Sequence, residues 1–241
     1  MKKIAIITIC YNHCEGLRRT IESVVHQTFS DREFIVVDGD SNDGTHALLE
    51  QYNSQIDKII CEKDDGIYDA INKGIKAATS EWIVCMNAGD VFASDDVLTQ
   101  VFAETLPDDI SFIYSDYFMR TKNGSLQKHT TNRQKGNVFH QSAIYKRSLH
   151  AEHGYYQVTH PYTVSDLMFM LSVPESAFHK ISTPISISEY AGNSDSLWCA
   201  RDAFALRVVY GYETFASALL KYIKATIRQK LNLCLKKFKT T

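Results

Sequence analysis

Short apolar runs alternate with stretches of helical period through the first hundred residues. Ile4-Ala5-Ile6-Ile7-Thr8-Ile9-Cys10, Phe34-Ile35-Val36-Val37 and Trp82-Ile83-Val84-Cys85-Met86 are bounded by polar turn residues. Runs of this kind read as buried strands. Between the first two, Leu17, Ile21, Val24 and Val25 recur at helical spacing and predict a helix over 15–27. Further helices are predicted over 45–52, opened by the Asp43-Gly44-Thr45 turn, and over 68–78 and 94–102. A short strand over 58–61 completes the series. Strands alternating with helices require crossover connections, so the pattern predicts an α/β fold: a mainly parallel central sheet flanked by helices.

The second half has a different texture. Residues 110–120 read as one strand, and Lys122-Asn123-Gly124-Ser125 carries the Asn-Gly hairpin signal. Helices are predicted over 164–171 and 202–210. All four prolines lie at or beyond Pro107. These changes place a soft boundary near Asp108, inside a single domain spanning 1–213. Beyond Glu213 there is no Asp or Glu, while Lys221, Lys224, Arg228, Lys230, Lys236, Lys237 and Lys239 are present. Leu219, Ile223, Ile227, Leu231, Cys234 and Phe238 recur at helical spacing, so 214–241 reads as a basic amphipathic helix.

Composition narrows the function classes. The 241 residues are 44% hydrophobic and 22% charged, as in an ordinary globular protein with a substantial core. A net charge of −2 argues against nucleic-acid binding by bulk electrostatics. The six cysteines form no C-x-x-C pair, and three lie in or beside apolar runs. That pattern favours buried free thiols in a reducing cytoplasm. His150 and His153 have a ligand-like spacing that nothing completes, and they read as surface histidines. Met1-Lys2-Lys3 and the apolar run after it have the outline of a signal peptide. No small-x-small cleavage site follows, so the run reads as the first strand. No run approaches the ~20 apolar residues of a membrane-spanning helix.

Three acidic segments follow the predicted strands: Asp38-Gly39-Asp40-Ser41-Asn42-Asp43, Asp64-Asp65-Gly66 and Asn87-Ala88-Gly89-Asp90. In an open α/β sheet ligands bind at the carboxyl ends of the strands. Carboxylates gathered there suit a divalent metal and a nucleotide. Four pieces then occur in a specific order: Thr8-Ile9-Cys10-Tyr11-Asn12, Val37 through Thr45, Asn72-Lys73-Gly74 and Asn87-Ala88-Gly89-Asp90. In this order and spacing the chain resembles the family 2 glycosyltransferases, the GT-A enzymes that use nucleotide sugars. The string Asp65-Gly66-Ile67-Tyr68-Asp69-Ala70-Ile71-Asn72-Lys73-Gly74 is similar to that of a bacterial subgroup that builds surface polysaccharides. Residues 1–100 carry most of the resemblance, which continues through His140-Gln141-Ser142 and Ser165-Asp166. No Walker P-loop or G-x-G-x-x-G fingerprint is present.

The resemblance implies a GT-A domain with a nucleotide-sugar-binding half over 1–107 and an acceptor half over 108–213. It implies an inverting transferase that moves a sugar from a nucleotide-sugar donor, a UDP-sugar, to a glycan or lipid-linked glycan. It further implies Mn²⁺ or Mg²⁺ as cofactor and a place at the inner face of a bacterial plasma membrane. Asp90 matches the family's metal-binding Asp, while Asn87 and Gly89 stand where the family usually carries acids. That leaves one carboxylate, phosphate and water for a hard cation. Capping of the following helix is the alternative for Asp90. Asp38 matches a residue that accepts a hydrogen bond from the nucleobase, and Thr8 and Tyr11 match the lining of the base pocket. Asn12 and Asn87 join them as nucleotide-sugar residues. Asp69 and Asn72 share a helix face and read either as nucleotide or sugar contacts or as ordinary helix polarity.

The base that takes the acceptor's proton is expected from the second half. Asp166 matches the family position, and favourable placement at a helix N-terminus explains it equally well locally. Asp116 and Glu189 compete with it. His140 occupies a place where the family often has His-Gln, either contacting acceptor or diphosphate or serving the structure; Glu189 is a second candidate for that contact. The tail either packs on its own domain or docks on anionic lipid. Two other classes stay open. One is a non-catalytic nucleotide-sugar-binding or membrane-docked assembly protein, suggested by Asn87 and Gly89. The other is a nucleotidyltransferase, which would need a Gly-rich basic loop that Tyr11-Asn12-His13-Cys14-Glu15 does not supply.

Overall fold

The computed structural model describes residues 2–158, 164–189 and 197–238. The apolar runs of the first half form β1 (Ile4–Cys10), β2 (Arg32–Asp38), β3 (Lys58–Cys61) and β4 (Trp82–Cys85), separated by α1 (Cys14–Val25), α2 (Thr45–Tyr52) and α3 (Ile67–Ala77). These four strands run parallel, with Cys10 opposite Asp38 and Asp38 opposite Cys61. The carboxyl ends of β1, β2 and β3 are therefore level, β4 ends opposite Ile7, and every loop that follows one of the four strands emerges at the same edge. Ile4, Ile6, Phe34 and Val36 bury against Leu17, Ile21 and Val24 of α1. Ile7, Ile35 and Val37 bury on the other face against Tyr68, Ile71 and Ile75 of α3.

One glycine sets the spacing of α3. A Cβ at Gly74 would lie 2.4 Å from Ile7 Cγ2. Helix and strand approach too closely there for any side chain, so the glycine of Asn72-Lys73-Gly74 serves packing. At the opposite edge of the sheet, Glu33 closes the turn into β4. Its Oε2 accepts hydrogen bonds from the N–H and hydroxyl of both Thr79 and Ser80 at 2.9 to 3.2 Å. Burial alone would raise its carboxyl, but these bonds hold it below its usual value.

After β5 (Val91–Phe92) and α4 (Val97–Ala103), the segment expected as one strand over 110–120 divides. β6 (Phe112–Tyr114) joins the main sheet, and β7 (Tyr117–Arg120) joins a second one. Polar side chains cause the break. Ser115 Oγ donates to Asp116 O at 2.7 Å and accepts from Ile185 N at 2.9 Å, while Asp116 Oδ1 accepts from Thr131 N at 3.0 Å. The Asn-Gly turn joins β7 to β8 (Leu126–His129) in an antiparallel hairpin. β9 (Ala143–Lys146), α5 (Leu149–His153), α6 (Ser165–Ser172), β10 (Phe178–Lys180) and β11 (Ser186–Glu189) follow. The main sheet has the order β10-β6-β9-β4-β1-β2-β3, in which only β9 is antiparallel to its neighbours. The small sheet has the order β5-β11-β7-β8 and brings the end of β11 beside the β4–β5 loop.

α7 (Leu197–Val209) starts earlier than the helix expected over 202–210, and α8 (Phe215–Phe238) forms the tail. Ala218 is buried, while Phe215, Leu219, Leu220, Ile223 and Ile227 are exposed. Among the described residues no helix is long and apolar enough to cross a membrane. Cys10 and Cys85 are buried free thiols, Cys199 is buried, and Cys61 is exposed. His150 is not the surface residue expected: it is buried between Tyr145 OH (3.1 Å) and Gly154 O (3.0 Å), and burial lowers its pKa to about 4.

Candidate active site

A cleft of about 540 Å³ opens off the carboxyl ends of β1 and β4. Tyr11, Asn12, His13, Asp64, Gly66 and Asn87 are among the residues lining it. Tyr11 stands over it with 66% of its surface exposed. Asn12 knits the floor. Its N–H donates to Ser41 Oγ at 2.8 Å and its Oδ1 accepts from Asn42 N at 2.9 Å. Asp43 ties the same two loops together, accepting from Cys14 N at 2.8 Å and Thr45 Oγ1 at 2.6 Å.

Asp38 ends β2 fully buried. It accepts from Ser41 Oγ at 2.5 Å and Ser41 N at 3.0 Å, with His46 Nε2 at 3.0 Å. Thr8 does not reach the cleft surface. It is fully buried within β1, on the same strand face as Ile6 and Cys10, and its hydroxyl has no partner among the described residues. Asn72 is likewise committed elsewhere. Its Nδ2 donates to Tyr156 O at 2.8 Å and its Oδ1 accepts from Tyr156 N at 3.1 Å. Asp69 accepts from Asp65 N at 3.1 Å and pairs with Lys73 at 3.2 Å. Both side chains, for which the sequence leaves open nucleotide or sugar contact and ordinary helix polarity, hold protein segments in place. Lys73, expected as a solvated charge, pairs with Glu62 as well.

The Asn87-Ala88-Gly89-Asp90 loop is stitched to α1 by Thr20. Gly89 N donates to Thr20 Oγ1 at 2.9 Å, and that hydroxyl donates to Asp90 O at 2.7 Å. Asp90 points inward: it is 8% exposed, and its Oδ1 accepts from Glu189 N at 3.3 Å. Burial raises its carboxyl to about 7, and the charge of Glu189 adds to the shift. Above it lie Glu189, paired with Arg19, and His13, whose Nδ1 is 3.1 Å from Ala88 O. Asn87 Oδ1 is enclosed with no hydrogen-bond partner among the described residues. An orphaned amide oxygen, a carboxylate and an imidazole around one loop fit a divalent cation.

Of the three candidate bases, the structure separates two. Asp116 accepts from Lys180 at 2.6 Å, faces Lys128 at 3.5 Å and is held below its usual pKa. Burial opposes that shift, and Lys180 and Thr131 dominate it. Asp166, at the start of α6, accepts a single hydrogen bond among the described residues, from Tyr68 OH at 2.7 Å. His140 is not placed to touch an acceptor or a diphosphate. It is 5% exposed, with Nε2 3.0 Å from Tyr156 OH, and Tyr156 OH in turn lies 2.8 Å from Tyr145 OH. Burial lowers its pKa, so it sits as a neutral member of a buried polar chain.

Sequence reasoning passed over His13 and Asp64. Asp64-Asp65-Gly66 follows β3 as Asp38-Gly39 follows β2, so the strand-end argument already reached it. His13 lies one residue beyond the Thr8-Ile9-Cys10-Tyr11-Asn12 motif.

Comparison with known proteins bears on this geometry. The profile of Glycosyl transferase family 2 matches residues 5–163. A PGL/p-HBAD biosynthesis glycosyltransferase from Mycobacterium bovis is 31% identical over 163 residues, covering 64% of this chain and 63% of that protein. The chain thus spans 63% of the length of that curated relative. Among solved structures, S. aureus TarS 1-349 in complex with UDP-GlcNAc superposes with a TM-score of 0.69 at 16% identity, covering 86% of this chain and 65% of that one. The mannosyltransferase PcManGT from Pyrobaculum calidifontis, in complex with GDP-Man and Mn²⁺, superposes with a TM-score of 0.66 at 15% identity, covering 97% and 80%. At such identities the likeness concerns the fold, which is GT-A.

Proposed function

The chain belongs to glycosyl transferase family 2, and on that premise we propose that it is an inverting enzyme that moves a sugar from a UDP-sugar donor to a lipid-linked glycan. The observation that carries this reading is the cleft off the carboxyl ends of β1 and β4, lined by the exposed Tyr11 and by Asp64 and Asn87. Its volume lies within the roughly 300–1,000 Å³ of small-molecule sites. Tyr11 is assigned to the base and ribose end of the donor, and Asp38, itself fully buried, holds the Ser41 loop beneath it. Asp166 is assigned as general base. It takes the proton of the acceptor hydroxyl as that oxygen bonds to the anomeric carbon and the nucleoside diphosphate leaves from the opposite face. A divalent cation bound beside the Asn87–Asp90 loop would neutralise charge on the departing diphosphate.

A melting-temperature screen of UDP- and GDP-sugars, with and without Mn²⁺, tests the donor. A ligand at about 100 times its Kd adds about 2.7 kcal/mol of stability. For a chain of this size that raises Tm by roughly 5–11 °C. No shift with any nucleotide sugar would sink the proposal. A shift without turnover of any donor would leave the non-catalytic binding reading in its place.

The acceptor side rests on α8. Its exposed Leu219, Leu220, Ile223 and Ile227 lie on a helix with no acidic residue after Glu213. Each basic residue near an anionic surface contributes about 1 kcal/mol. Deleting the chain from Phe215 onward is expected to release it from phosphatidylserine vesicles while leaving donor binding intact. High salt should weaken docking of the full chain, because the screening length falls from about 8 Å at physiological salt to about 3 Å at 1 M. Failure of the full chain to co-sediment at low salt would assign α8 to packing alone. A lower melting temperature on truncation would accompany that result.

A further inference from the structure

The loop where the family's metal motif falls has lost its outward carboxylate. Gly89 has φ +104°, which suits glycine, and a Cβ there would lie 2.7 Å from Glu189 Oε2 and 3.0 Å from His13 Cε1. The room a side chain at 89 would take is filled by an acid arriving from another strand. Asp90 does not compete for the position, since its carboxylate turns inward and accepts the N–H of Glu189.

His13 is set up as a ligand. Its Nδ1 faces the carbonyl of Ala88, which can only accept, so Nδ1 donates there and, in the neutral imidazole that binds metals, Nε2 carries the lone pair. A backbone carbonyl on one ring nitrogen is the usual way a metal-ligating histidine is oriented. That lone pair lies 3.7 Å from Glu189 Oε2. Two ligands each about 2.1 Å from one ion can be no more than about 4.2 Å apart, so both atoms can reach the same cation. Arg19 engages the other oxygen, Oε1, and fixes the rotation of the carboxylate.

We infer that the divalent cation of this protein is held by His13 Nε2 and Glu189 Oε2, with Asp90 beneath them as a positioning residue. The inference rests on the donor reading above and deepens it. Diphosphate oxygens and water complete the coordination, as is usual where few protein ligands serve a nucleotide-bound metal. An imidazole in the set disfavours Mg²⁺, which prefers oxygen ligands throughout, so Mn²⁺ is the expected ion. A second cluster, Asp38, His46 and Cys61, also brings ligand atoms within 4.8 Å. Its buried carboxylate is already engaged by Ser41 and His46, and its thiol suits softer metals.

The test is Mn²⁺ binding to the full chain, followed by loss of the free-ion electron paramagnetic resonance signal with and without UDP. It is read alongside paramagnetic broadening of histidine ring resonances. Broadening is expected first at His13. His13→Gln and Glu189→Gln should each weaken Mn²⁺ binding at least about tenfold. Both side chains are partly exposed, so the variants should keep the wild-type melting temperature. Asp90→Asn keeps an oxygen for the Glu189 N–H and should weaken Mn²⁺ binding less than either of these variants. The inference is overturned if Asp90→Asn or His46→Gln loses Mn²⁺ while His13→Gln retains it. Absence of Mn²⁺ binding with donor stabilisation intact would also overturn it and leave the donor reading standing. Mn²⁺ bound at His13 without any donor response would support the site and sink the donor reading instead.

Discussion

Asp166→Asn is expected to lower turnover by roughly 10²–10⁴-fold, because the amide keeps the shape of the carboxylate but cannot take a proton. Donor affinity, read from the melting-temperature shift, should stay within about twofold, since the lost interaction forms only as the acceptor reacts. Tyr68→Phe removes the hydroxyl that donates to Asp166 Oδ1 and leaves the carboxylate unanchored. A hydrogen bond to a charged group contributes about 1.5–3 kcal/mol, so a fall of at least roughly tenfold should follow. Asp116→Asn is the discriminating control. It strips partners from Lys180 and Lys128 and should cost stability, with turnover per folded molecule unchanged. If Asp116→Asn showed the large loss of turnover and Asp166→Asn did not, the base would be misassigned.

Arg133→Ala is expected to lower the melting temperature by roughly 6–20 °C. The guanidinium is 2% exposed and has no carboxylate partner among the described residues. It donates to Val173 O at 2.7 Å, Leu171 O at 3.4 Å and Tyr212 OH, and lies 4.6 Å from the ring centre of Phe178. One side chain thus joins the end of α6, strand β10 and the turn between α7 and α8. Truncation leaves the two carbonyls and the Tyr212 hydroxyl without this donor, and at about 1–3 kcal/mol for each unsatisfied buried group the cost is about 3–5 kcal/mol. In a chain of this length each kcal/mol moves Tm by about 2–4 °C. Arg133→Met keeps the apolar stem and should lose less. A Tm within a degree of wild type for Arg133→Ala would mean that the contact carries no net stability.

The first half was legible because its signals are local. Ile4–Cys10 and Thr45–Tyr52 match the elements predicted from apolar runs and turn residues. Helix ends were less so: α1 stops at Val25, two residues short of Gln27. The 110–120 strand failed for a physical reason. Phe112-Ile113-Tyr114 and Tyr117-Phe118 both favour strand, and the polar pair between them is too short to mark a boundary by itself; the tertiary partners of Ser115 and Asp116 divide the segment between sheets. The site followed the same rule. Strand-end loops located the cleft, but periodicity says which residues share a face and not what that face meets. Asn72 and His140 bear polar groups that satisfy buried backbone and a buried hydroxyl. No spacing argument distinguishes them from ligand contacts. Glu189 and His13 are far apart in sequence, and only the small sheet brings β11 to the β4–β5 loop.

The two sheets end in short strands. β3 and β10 close the main sheet with four and three residues, and β5 and β8 close the small one with two and four. Lys58, Lys180 and Lys128 lie on β3, β10 and β8. Brief, lysine-bearing edges are poor templates for another chain's backbone, because an added strand would gain few hydrogen bonds and would have to accommodate a charge. A molecule edged in this way resists strand-by-strand aggregation when its concentration rises.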